Sequence, residues 1–167
     1  MNWYKENLEE TEQEQPSQAI IDVGSNHDYP AGNLSNFTPH AFSLDGVYCA
    51  SMEGFLQSLK FEDIEDQKTI CNLIGFKAKK KGRKSDWQQG QVLYWLGQGM
   101  DRTSPEYQNL LDRAYSAMFE QSPEFKQALK DTGDAVLVHT IGKEDSAETV
   151  LTEKEFCDRL MNLRSKI

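Results

Sequence analysis

Apolar positions along the chain switch repeatedly between strand-like and helical spacing, and the switches mark out the elements. Ile20, Ile21 and Val23 predict a short strand ending at Gly24. Phe42 and Leu44, then Val47 and Cys49, alternate around Asp45-Gly46, a dipeptide suited to the left-handed backbone of a tight hairpin turn. Over 51–61 the spacing becomes helical: Met52, Leu56 and Leu59 form one apolar stripe, with Ser51 placed to cap it. Further helices are expected over 64–80, with Ile64, Ile70, Leu73 and Ile74 inward, and over about 86–97, around Trp87, Val92, Leu93, Tyr94 and Trp95. Ser104-Pro105 and Ser122-Pro123 each join a capping residue to a proline at the first helical position. The first opens a run with Tyr107, Leu110, Leu111, Ala114, Tyr115 and Met118 inward. The second opens a shorter helix that stops near Gly133. VLVHTI (136–141) reads as a strand. Thr152 and Glu155 have capping-box spacing ahead of Phe156, Leu160 and Leu163, which predicts a last helix.

Together these elements describe an α+β chain, mainly helical, with a small sheet and a hairpin. The length of 167 residues fits one domain, placed at 18–167 behind an acidic arm at 1–17. Apolar residues make up 38% and charged residues 27%, the balance of a soluble globular chain. No apolar run approaches the roughly 20 residues of a membrane span, and the acidic start lacks the apolar core of a secretory signal. Cys49, Cys71 and Cys157 are odd in number and widely spaced, which suits free thiols in a reducing cytoplasm and makes no metal pattern.

Charge and loop composition refine this picture. The net charge of −9 argues against bulk nucleic-acid binding. The charge is uneven, however: Lys77, Lys79, Lys80, Lys81, Arg83 and Lys84 crowd eight positions with no acid among them. That cluster is either a solvated helix end or an edge that meets one or two phosphates. Residues 24–40, GSNHDYPAGNLSNFTPH, form a long Gly/Pro/Asn loop of the kind that carries function.

Standard catalytic templates are absent: no strand-linked GxGxxG, P-loop, HExxH or GxSxG is present. His27, His40 and His139 lack ligand spacing, and nothing calls for a metal or cofactor. The helix at 51–61 is more informative. Glu53, Gln57 and Lys60 fall within roughly 60° of one another on a helical wheel, directly beside the apolar stripe. One reading is a solvated polar face. The other is a sheltered acid and amine at the rim of the core, where burial tunes both for proton transfer or attack.

The run 33-NLSNF-37, then FSLDG (42–46), then ASMEGFLQSLKF (50–61), resembles the NADAR, or YbiA-like, family. Later pieces agree in order: a basic segment running into Trp87, Met118-Phe119, TGDAVLVH (132–139) and the closing LMNLR (160–164). The likeness therefore spans about 33–164. Gly54 stands where the family pattern has a histidine. HTIGKEDSAETVLTEKEF (139–156) replaces the family's Trp-Gly and Gly-rich segment, and 96–108 reads as an insertion.

The resemblance implies a YbiA-like fold and hydrolysis of a ribose C1–N bond. The substrate would be a phosphorylated or ADP-ribosylated riboside, either a riboflavin-pathway intermediate or an ADP-ribosyl-guanine, possibly carried on nucleic acid. It assigns Glu53 and Lys60 to catalysis, and Asn36, Phe37, Gln57, Trp87, Lys143 and Asp145 to substrate. The phosphates would fall to Lys79, Lys80 and Arg83. A non-catalytic ADP-ribose or nucleotide-binding module is the other reading, favoured by Gly54 and the replaced segment.

Overall fold

The computed structural model describes residues 18–167; the acidic arm expected over 1–17 lies outside them. Strand β1 (Ile20–Asp22) leads into a long loop with a single 3₁₀ turn at Gly32–Leu34. Strands β2 (Phe42–Leu44) and β3 (Val47–Cys49) form the expected hairpin, with Asp45 and Gly46 at φ 49° and 78° in the turn. Helix α1 (Met52–Ser58) follows at once, and Ser51 Oγ caps it by accepting from the Gly54 N–H at 3.1 Å.

Two expectations are corrected next. The single helix expected over 64–80 is two helices, α2 (Ile64–Cys71) and α3 (Gly75–Gly82). The chain breaks because Ile74 is extended and Gly75 takes φ 55°, a conformation that glycine adopts without strain. Ile64, at the first turn of α2, and Ile74, at the break, are exposed, while Ile70 stays buried. The helix expected over 86–97 is one turn only, α4 (Trp87–Gly90), closed by Gln91 at φ 54°. Beyond it, β4 (Val92–Trp95) and β5 (Gln98–Asp101) pair as a hairpin through Leu96 and Gly97, at φ 51° and 82°. The β-branched and aromatic run VLYW before a Leu-Gly turn is the signal for strand over helix.

Helices α5 (Pro105–Gln121) and α6 (Pro123–Asp131) start at their Ser-Pro caps, and β6 (Val136–Val138) precedes α7 (Glu153–Arg164). Strand β6 is shorter than the expected 136–141, because the Thr140 N–H and hydroxyl turn to the Asp22 carboxylate. It pairs in parallel with β1.

Helix α1 lies at the centre, against α2, α3 and α5. All seven of its residues are buried, so its polar stripe is not a solvated face. Phe55 and Leu59 join Tyr107, Leu111 and Tyr115 of α5 and Phe156 and Leu160 of α7 in one core. Burying each large apolar side chain contributes about 1.5–3 kcal/mol. Gly54 makes the α1–α2 approach possible: a Cβ there would sit 2.6 Å from the Leu73 carbonyl oxygen and 2.9 Å from those of Cys71 and Ile70. All three cysteines are buried and free. Among the described residues no helix is long and apolar enough to cross a membrane.

Candidate functional site

A cleft of about 640 Å³ opens over α1. Glu53 and Gln57 form its floor and are 8% and 7% exposed, and Lys60 sits one turn further along. Gln57 Nε2 donates to Glu53 Oε1 at 2.8 Å. Burial pushes the Glu53 carboxyl above its ordinary pKa, against the Gln57 hydrogen bond and the charges of Lys79, Lys60 and His139. Burial likewise pulls the Lys60 amine below its ordinary pKa. Glu53 opposes that shift, and Lys79, Lys143 and Arg83 reinforce it. Burial thus raises the acid and lowers the base on one cleft floor, the direction of shift that suits such a pair to proton transfer.

The walls come from four segments. The 3₁₀-turn loop gives Asn36 and Phe37. It is fixed to the start of α1 by the Glu53 N–H, which donates to the Asn36 carbonyl at 3.0 Å. Tyr115 donates to Asn36 Oδ1 at 2.8 Å, which orients the Asn36 amide. Helix α3 gives Lys79, Gly82 and Arg83, with the Lys79 ammonium 5.9 Å from the Phe37 ring centroid. Gly82 leaves the space that Gln57 fills: a Cβ there would lie 1.6 Å from Gln57 Oε1 and 3.1 Å from Lys60 Nζ. Trp87 and Gln88 enter from α4.

The fourth wall is built from 139–151, the segment with its own sequence in place of the family's Gly-rich stretch. It supplies His139, Lys143, Glu148 and Thr149. Four side chains hold it by its carbonyls. Gln88 donates to Glu148 O at 3.0 Å, Gln91 to Ala147 O at 3.0 Å, Arg102 Nε to Thr149 O at 2.9 Å, and the Tyr107 hydroxyl to Val150 O. Arg102 is 1% exposed and forms a bidentate pair with Glu155 at 2.6 and 3.1 Å. The stretch that reads as an insertion, 96–108, therefore supplies two of the four braces of the cleft wall, Arg102 and Tyr107.

Of the residues the resemblance assigns, Glu53, Lys60, Asn36, Phe37, Gln57, Trp87, Lys143, Lys79 and Arg83 line this one cleft. Two do not. Lys80 lies exposed on α3, one position round from Lys79 and off the lining. Asp145 turns away to accept from the Ala147 N–H at 2.9 Å, and Glu148 takes its place on the wall. His139 is not among the residues the resemblance assigns, and in the sequence the three histidines lack ligand spacing, so nothing local marks this one. Its Nδ1 is tied to the Val23 carbonyl at 2.6 Å and its ring meets Phe156 edge-on, which sets the other edge toward the cleft. Gly54 faces the end of α2, so a side chain at that position points away from the cleft. Among the described residues no three His, Cys, Asp or Glu are grouped to hold a metal ion. A shallower concavity of about 470 Å³ is lined by His40 and Ser122, which hydrogen-bond at 2.9 Å and tie the loop to α6.

The architecture is that of a YbiA-like α+β domain. The NMR structure of the E. coli protein YbiA superposes with a TM-score of 0.60 at 22% identity, covering 89% of this chain and 84% of that one. The chain belongs to the family described as bacteriophage protein GP30.3, whose profile matches residues 28–165. A relative from enterobacteria phage T4, described as an uncharacterized 17.1 kDa protein of the Gp30–rIII intergenic region, is 36% identical over 149 residues. That match covers 88% of this chain and 98% of the T4 protein.

Proposed function

We propose that the chain is an N-glycosidase that hydrolyses the ribose C1–N bond of a phosphorylated or ADP-ribosylated riboside. One observation carries the reading: a buried carboxyl and a half-buried amine share the floor of a cleft ringed by Lys79, Arg83 and Lys143. Cleaving the bond sends its electron pair to nitrogen, which must gain a proton, and leaves positive charge on the sugar. Water then forms the new C1–O bond and gives up a proton. Glu53 is suited to move that proton and to stabilise the cationic sugar. Lys60, with its amine eased toward the neutral form, offers a second route: attack on C1 of the ring-opened sugar and release through an imine that water hydrolyses. The three cations match phosphate groups, and Phe37 and Trp87 supply aromatic surface beside them.

The test is product analysis after incubating wild type and Glu53→Gln with a panel of N-ribosides that includes ADP-ribosylated guanosine and phosphorylated riboflavin-pathway intermediates. Release of free base by wild type is expected, with a loss of roughly 10²- to 10⁴-fold in the variant. Borohydride trapping of a sugar adduct on Lys60 selects the imine route; turnover without an adduct selects direct attack by water. Tight binding of ADP-ribose with no turnover of any riboside would assign the cleft to recognition alone.

A further inference from the structure

His139 stands where the parallel pair of β1 and β6 opens onto the cleft. It follows Val138, the last residue of β6, whose carbonyl accepts from the Val23 N–H at 2.8 Å. The chain then turns sharply. The Gly142 N–H donates to the His139 carbonyl at 2.9 Å, and the His139 N–H donates to Glu153 Oε1 at 3.0 Å. The ring itself is held in place. Nδ1 lies 2.6 Å from the Val23 carbonyl oxygen, and Phe156 packs edge-on with centroids 5.2 Å apart. Gly142 leaves the space for Cδ2, because a Cβ there would sit 2.7 Å from it. This hold also fixes the tautomer. A carbonyl oxygen only accepts, so Nδ1 carries the hydrogen and the neutral ring keeps its lone pair on Nε2. Among the described residues Nε2 has no hydrogen-bond partner. The ring lines the same cleft as Glu53 and Lys60, close enough that charge on it acts on the Glu53 carboxyl. It is only partly buried, so water reaches it. A fixed imidazole lone pair beside a buried carboxyl lets two groups divide the roles of base and acid.

We propose that His139 is a further catalytic residue: its Nε2 takes a proton from the water that attacks C1, which leaves Glu53 to give its own proton to the departing nitrogen. This role rests on the glycosidase reading of the cleft. The C1–N electron pair goes to nitrogen, which takes the Glu53 proton. The water oxygen forms the new bond to C1, and the proton it sheds goes to Nε2. The imidazolium then returns that proton to the Glu53 carboxylate through solvent, so the net change is one water consumed. On the imine route through Lys60, the same nitrogen takes the proton of the water that hydrolyses the imine.

The experiment compares wild type with two variants on the same panel of N-ribosides. His139→Asn keeps an N–H for the Val23 carbonyl but has no basic nitrogen. Its thermal midpoint is expected to match wild type while turnover falls about 10²- to 10⁴-fold. His139→Ala is expected to regain turnover when imidazole is added, and to regain more with more basic substituted imidazoles. A histidine that only holds the wall together would not give that response. A third measurement needs no variant. In nitrogen-15 spectra of wild type, recorded with the ring neutral, Nδ1 is expected to be protonated and Nε2 bare, and added ADP-ribose is expected to move the Nε2 resonance. Full turnover in His139→Asn, no response of His139→Ala to any imidazole, or a neutral ring protonated at Nε2 would overturn the proposal and leave the glycosidase reading standing. No turnover of any riboside by wild type would sink that reading, and this role for His139 with it.

Discussion

Gln57 Nε2 donates to Glu53 Oε1 at 2.8 Å, which commits one oxygen of the buried carboxyl to α1 and leaves the other facing the cleft. Two residues one helical turn apart thus set which oxygen is free for chemistry.

The Glu53 carboxyl should register in stability as well as in turnover. Its folded pKa lies above the ordinary glutamate value because it is desolvated, so the native chain holds that proton more tightly than the unfolded chain does. The stabilisation from this proton is complete below about pH 4.3, the ordinary value, and is lost as pH rises through the folded pKa. Wild type should therefore lose stability relative to Glu53→Gln as pH rises from about 4.3 through the folded pKa. Denaturant midpoints across that range measure it, and a difference that stays flat would show a well-hydrated carboxyl.

Gly82→Ala adds a methyl group where Gln57 Oε1 would be 1.6 Å away. Gln57 must swing out, which breaks its bond to Glu53 and disturbs Lys60. Overpacking costs about 1–3 kcal/mol and outweighs the gain of about 1 kcal/mol from replacing glycine in a helix. The variant is expected to be less stable and to lose N-riboside turnover, whereas Gly90→Ala, with open space around its Cβ, should not show these losses.

Gly54→His, which restores the residue of the family pattern, should damage the fold instead of sharpening the site. The new Cβ would press on the carbonyl oxygens of Leu73, Cys71 and Ile70, at 2.6 to 2.9 Å, and these belong to backbone that cannot swing aside. Destabilisation at the upper end of about 1–3 kcal/mol is expected. A variant as stable as wild type would mean that α2 slides freely on α1.

The Arg102–Glu155 pair holds the cleft wall, and its two charges are interdependent. Glu155→Leu leaves a guanidinium at 1% exposure with only the Thr149 carbonyl as polar partner, a loss of about 3–5 kcal/mol. Arg102→Leu in the same background should recover most of it, which thermal midpoints of wild type, Glu155→Leu and the double variant would show. In wild type, burial pushes the Glu155 carboxyl up, but Arg102, Gln108 and the Thr152 N–H together hold it below the ordinary range. That contribution is complete above about pH 4.3 and disappears as pH falls through the folded pKa, so acid should loosen this wall.

Much of the fold was legible because its signals are local. Capping residues at Ser51, Ser104, Ser122 and Thr152 each begin a helix where the side-chain oxygen meets an orphan N–H. The Asp45-Gly46 turn needs only its own backbone. The two misreadings arose where apolar residues follow one another without clear period. Over 64–80 the positive φ of Gly75 divides the run, and over 86–97 the choice between helix and strand rests on Leu96-Gly97 closing a hairpin. Local composition ranks such alternatives weakly.

By itself the sequence determined the α1 stripe: helical geometry alone places Glu53 and Gln57 in one line, and the turn that closes the helix, where the Lys60 N–H donates to the Gln57 carbonyl, carries Lys60 just beyond them. It could not decide whether that line meets water or a cleft. That was settled when α3, the Asn36 loop and the 139–151 segment, distant in sequence, closed over it, because desolvation depends on what packs nearby. The same closure excluded Asp145 and Lys80 and admitted His139, since membership of a cleft is a property of space and not of spacing along the chain.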